Sequence, residues 1–156
     1  MKSLRAGLLG LATVALLVAC QGGSLSSEAR AIEAVKNADN AFSAQSIKGG
    51  LASAFREYAL EQAVLLPDDH AALATRENIE QSLAELPAST HLSWSPQGAD
   101  ASGGLGYTWG IYTLTGLSSN GLSTVAYGKY LSVWKEQSGK WKLAAMMLNR
   151  SPGPAG

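Results

Sequence analysis

The chain is poor in cysteine, histidine and charge. Its 156 residues hold one Cys and two His. A lone Cys excludes an internal disulfide and a cysteine-built metal cluster. His70 and His91 stand far apart with no ligand spacing between them, so no metal site is expected. Charged residues make up only 15% of the chain, and 12 Lys plus Arg balance 12 Asp plus Glu. A neutral chain lacks the basic footprint of a nucleic-acid binder. Lys129, Lys135, Lys140 and Lys142 cluster late and read as a solvated face. There is no Gly-rich phosphate loop, nucleophile elbow or zinc-binding spacing, and no cofactor is expected. What remains is a chain that is 46% hydrophobic, far from the signature of disorder and about one domain long.

The N-terminus carries an address. Lys2 and Arg5 precede an apolar run, Ala6 to Val18, which is short of the ~20 residues that span a bilayer. Residues 1–19 therefore read as a secretory signal peptide. Leu17-Val18-Ala19-Cys20 resembles the bacterial lipobox. That resemblance implies cleavage before Cys20, a thioether-linked diacylglycerol on its sulfur and an acyl chain, such as palmitate, on the new N-terminus. Each buried CH₂ contributes about 0.8 kcal/mol, and stable anchoring needs more than one chain. Gln21 follows the Cys where an inner-membrane retention Asp would otherwise stand. The expected location is thus the cell envelope, on the periplasmic face of the outer membrane. The membrane contact is the lipid alone, since no later segment is long and apolar enough to cross.

After the lipobox, residues 20–27 (with Gly22, Gly23 and three Ser) read as a flexible tether. A helix is expected from Glu28 to about Ser46, capped by Ser27, with Ile32, Val35, Asp39 and Phe42 on one stripe. Gly49-Gly50 breaks it before a second helix, Leu51 to Ala59. Ala63 to Leu66 is a short apolar run closed by the turn residues Pro67-Asp68-Asp69, and Ala71 to Ala74 pairs back as a short strand. Thr75 caps a third helix, Arg76 to about Glu85, which Pro87 stops. From His91 the period changes to that of strands. Segments 91–101, 105–117, 125–137 and 140–149 are separated by Gly- and Asn-containing turns and read as a consecutive antiparallel meander. Residues 28–150 form the domain and 151–156 an irregular tail. Helices first and antiparallel strands later indicate an α+β class.

Several of these residues together resemble a known family. They are Asp39-x-x-Phe42, Pro67-Asp68, the Ile79 helix, Leu92-x-Trp94-x-Pro96, Gly106-Tyr107-Thr108-x-Gly110-x-Tyr112, Tyr130-x-x-x-Trp134 and Ser138-Gly139-Lys140-Trp141-Lys142. The match is to the SnoaL-like, ketosteroid-isomerase-like superfamily of nuclear-transport-factor folds, in a bacterial branch of secreted domains. The resemblance implies a curved antiparallel sheet, a cone, wrapped around about three N-terminal helices, with a pocket between them and frequent homodimers. It implies no single activity, because fold does not decide function. Many relatives carry an acid in the last strand; here that stretch is Leu143-Ala144-Ala145-Met146-Met147-Leu148, which weakens the case for isomerase chemistry.

Candidate site residues follow from chemistry. Asp39 sits on an apolar stripe, where a carboxylate must be paired, hydrogen-bonded or shifted in pKa. It is either a general base facing a pocket or a structural carboxylate. His70, in its turn, reads as solvated, and His91 as a strand-edge or surface residue. Trp94, Tyr107, Trp109, Tyr130 and Trp134 are the expected walls of an aromatic-lined pocket, with Asp39 and Tyr58 as its polar points. Tyr107 and Trp109 share a sheet face and Tyr112 takes the other. Three functions compete: an envelope-anchored binder of a small apolar molecule, an isomerase or dehydratase with Asp39 as base, and a dimeric assembly module.

Overall fold

The structure, a computed structural model, describes residues 21–154. The signal peptide expected at 1–19 and the lipidation expected at Cys20 lie outside the described residues. Three helices come first: α1 (Gln21–Gly49), α2 (Leu51–Tyr58) and α3 (Arg76–Ala84). Six strands complete the fold: β1 (Ala59–Leu66), β2 (Leu73–Ala74), β3 (His91–Ser102), β4 (Leu105–Leu117), β5 (Ser123–Gln137) and β6 (Lys140–Ser151). The α+β class and the curved, unclosed sheet around three helices stand as expected.

Helix α1 departs from expectation at its start. It begins at Gln21 rather than at a Ser27 cap, so the described part of the expected tether is helical. Extending a formed helix adds one hydrogen bond per residue fixed, which offsets the poor propensity of Gly and Ser. The stripe itself holds: Val35, Asp39 and Phe42 are all fully buried. Thr75 caps α3 as read, its Oγ1 accepting from the Asn78 backbone N–H at 3.4 Å.

The sheet order is β2-β1-β6-β5-β4-β3. Strands β3 to β6 form the consecutive antiparallel meander. Strand β1, however, pairs parallel with β6. A parallel partner needs a long crossover, and here nearly the whole meander supplies it. The β3–β4 turn uses Gly103 and Gly104, both at positive φ (57° and 80°), as a tight two-residue hairpin demands. Register shifts at Pro96/Gly98 and Val133/Trp134 mark irregularities that bend the sheet. At Gly128 a Cβ would collide with the Tyr112 ring and the Asn149 carbonyl, so the glycine lets that ring lie flat on β5.

Helix α1 lies across the concave face, and two serines fasten it there. Ser43 Oγ donates to the Trp94 carbonyl at 2.8 Å and accepts from the Trp94 backbone N–H at 3.1 Å. Ser46 Oγ donates to the Leu92 carbonyl at 2.7 Å. The core between helices and sheet is built on Phe42, Phe55, Ile79, Trp94, Tyr130, Trp134, Leu143 and Met146.

Candidate functional site

Two chambers occupy the concave side, and they differ in contents. The first surrounds Asp39. Trp94 Nε1–H donates to Asp39 Oδ1 at 3.0 Å, and Tyr130 O–H donates to Oδ2 at 2.5 Å. The Thr108 hydroxyl acts on the carboxylate as a further, weaker donor. Thr108 Oγ1 also accepts from Trp134 Nε1 at 3.0 Å. The result is one connected polar group, spanning α1, β3, β4 and β5, inside an aromatic shell. Phe42 contacts Trp94 edge-on with centroids 4.7 Å apart, and Trp134 at 6.0 Å.

Burial raises the pKa of Asp39, and the hydrogen bonds from Tyr130, Trp94 and Thr108 oppose the rise. Burial likewise pushes the Tyr130 hydroxyl far up, helped by the adjacent charge of Asp39. A base must reach a substrate proton. Asp39 has no solvent exposure, and both its oxygens already hold donors. The carboxylate is thus sealed from solvent with a donor on each oxygen.

The second chamber is a cavity of about 370 Å³ toward the β1–β2 side of the sheet. Its depth is marked by Phe55, Leu65, Leu92 and Met146, all nearly fully buried. Leu83, Leu114 and Leu148 form half-buried walls, and the exposed His70, Leu86 and Arg150 mark its mouth. Only five lining residues have polar side chains: Asp68, His70, Ser82, Tyr112 and Arg150. Small-molecule sites are built this way, with an apolar hollow of about 300–1,000 Å³ and few polar groups. Phe55 connects the chambers, since it forms the floor of the cavity and meets Phe42 edge-on at 5.1 Å. The aromatic shell stands between the cavity and Asp39.

The expected aromatic walls are therefore placed elsewhere. Trp94, Tyr130 and Trp134 fill the core around Asp39, and none lines the cavity. Tyr58 packs on Phe42 at 5.5 Å, half-buried and also outside the cavity lining. Tyr107 and Trp109 face outward, 43% and 47% exposed. The physical reason is volume: large rings interlock to core density and close space. The hollow opens where aliphatic side chains of unequal reach meet around α2, α3 and β6. His91 is exposed at the start of β3. His70 is an exposed turn residue, as expected, and also borders the cavity mouth, where its Nδ1–H donates to the Asp68 carbonyl at 2.8 Å. Tyr112, Arg150, Leu114 and Leu148 were not anticipated. The alternation of Tyr112 and Leu114 on the buried face of β4 is the signal that points to them.

No group of three or more His, Cys, Asp or Glu side chains converges among the described residues. No described helix is long and apolar enough to cross a membrane.

No protein-family model matches the chain, and no curated relative matches it. Solved structures do match. A ketosteroid isomerase-like protein from Erwinia carotovora atroseptica is similar at TM-score 0.68 and 12% identity, over 78% of this chain and 97% of that one. An NTF2-like protein with a cystatin-like fold from Novosphingobium aromaticivorans is similar at TM-score 0.67 and 11% identity, over 91% and 94%. An NTF2-like superfamily protein from Salmonella enterica serovar Typhimurium is similar at TM-score 0.66 and 12% identity, over 82% and 94%. The protein has the NTF2-like, ketosteroid-isomerase-like cone fold. At these identities the likeness is one of fold.

Proposed function

We propose that the protein is a lipid-anchored cell-envelope binder of a small, mostly apolar molecule. The observation that carries this reading is the aliphatic cavity of about 370 Å³, open at the His70–Arg150 side. A sealed Asp39 favours binding over turnover, because the one buried carboxylate among the described residues does not line that cavity. The anchoring part rests on the lipobox at Leu17-Val18-Ala19-Cys20. Native mass spectrometry of protein extracted from membranes tests both parts. The expected spectrum shows a triacylated Cys20 and a co-purifying organic molecule. The Leu114→Trp variant, with an indole filling the cavity, is expected to fold and to lose that molecule. Retention of the molecule by this variant would place the site elsewhere.

A second feature favours self-association. The outer sheet face carries an apolar row in register: Trp109 opposite Leu131, Leu131 opposite Met147, and Met147 opposite Leu66. Each of the four is more than a third exposed, and Tyr107 and Ile111 flank Trp109 on β4. Contiguous apolar surface of this kind marks protein contacts, and one such face per copy suits a two-fold partner. In this reading two copies pair through it. Sedimentation should show a dimer that Trp109→Lys converts to a folded monomer. A monomeric wild type at micromolar concentration would end this reading.

A further inference from the structure

The polar groups of the cavity are gathered at its mouth, and they are not all used. Arg150, at the end of β6, approaches Asp68 through Nε at 3.5 Å from Oδ2. Its two Nη groups make no hydrogen bond with any described residue. The ring of Tyr112 is buried, and its hydroxyl also makes no hydrogen bond with a described residue, although Asp68 and Arg150 are both close enough to act on it electrostatically. The parallel pairing of Leu66 with Met147 brings the two chain segments together, so that Asp68 and Arg150 meet. Beyond this point the lining is almost wholly aliphatic.

A guanidinium with Asp68 beside its Nε leaves its Nη groups available as a fork. Such a fork matches the two oxygens of a carboxylate, and a free phenol adds a third donor on the same side. Resting on the reading of this cavity as the binding site, we propose that its ligand is a monocarboxylic acid with an apolar body. The body enters toward Phe55 and Met146, and the carboxylate stays at the mouth between Arg150 and Tyr112. Asp68 positions the fork. A ligand ending in an ammonium meets Arg150 as a like charge, and a neutral alcohol engages only one of the donors. The class is thus set by one end of the molecule and the size by the other.

Calorimetric titration with octanoate, 1-octanol and octylamine at pH 8 tests this. The expected order is octanoate tighter than 1-octanol by about tenfold, as charge-assisted bonds at a partly exposed mouth would give, with octylamine weakest. Arg150→Gln should bring octanoate down to the affinity of 1-octanol, and added salt should weaken octanoate alone. Leu114→Trp should abolish binding of both. If 1-octanol or octylamine binds the wild type as tightly as octanoate, the acid preference is wrong and the cavity reading stands. If Arg150→Gln keeps the full preference, Arg150 is not its source and the proposal falls. If none of the three probes binds the wild type, the cavity reading itself fails.

Discussion

Replacing Asp39 with alanine will destabilise the fold by about 3–5 kcal/mol, measured by urea unfolding at neutral pH. The change strips the acceptor from Trp94 Nε1–H and from the Tyr130 hydroxyl, both in the dry core. Each stranded donor costs about 1–3 kcal/mol, and a void adds to that. Asp39→Asn should cost far less, about 1 kcal/mol. The amide oxygen can face Trp94 while its NH₂ faces Tyr130, whose hydroxyl can turn to accept.

The pair of variants also isolates a pH effect. Asp39 has a folded pKa raised by burial above its unfolded value. Over the window between the two values the native state holds more protons, so stability falls with rising pH. The contribution is fully present below the ordinary aspartate value and is lost as pH rises through the folded one. Wild type minus Asp39→Asn, followed from pH 3 upward, should therefore decline. A flat difference, or an alanine variant within 1 kcal/mol of wild type, would show that the chamber is wet and Asp39 accessible.

Trp134→Ala should be comparably severe, at about 3–5 kcal/mol by the same unfolding measurement. Trp134 is fully buried, meets Phe42 edge-on and donates to Thr108. Trp134→Phe keeps most of the packing and should cost about 1–2 kcal/mol through lost volume and the lost N–H bond. A mild alanine variant would mean that this ring borders an open space after all, restoring the aromatic pocket expected from sequence.

The period of the hydrophobic pattern made most elements readable. The meander of β3 to β6, the stripe of α1 and the Thr75 cap of α3 are all set by neighbouring residues, so local chemistry suffices. Asp39 was legible for the same reason, as the one carboxylate on an apolar stripe. The parallel join of β1 to β6 was not, because nothing local in Ala59–Leu66 encodes a partner so far along the chain. A pocket between sheet and helices was expected, but its lining was missed through that same gap. It lies where β1, β6 and the turn after β1 converge, so Asp68 and Arg150 look unrelated until the join is known. Counting rings then misled. Aromatic residues on strands fill a core as readily as they wall a hollow, and here Trp94, Tyr130 and Trp134 fill it. Sheet alternation correctly separated Tyr107 and Trp109 from Tyr112, but not which face was wet.

One split runs through the concave side of this protein. Its polar network around Asp39 is closed and its hollow is mostly apolar, so the buried carboxylate and the space able to hold a molecule do not coincide. The most direct check is a nuclear magnetic resonance titration of the protein with 1-octanol, following leucine methyls and indole N–H signals together. The methyls of Leu83, Leu114 and Leu148 are expected to shift with added alcohol while the Trp94 and Trp134 indole protons stay in place. Movement of the Trp94 indole proton with those leucines unmoved would contradict this split.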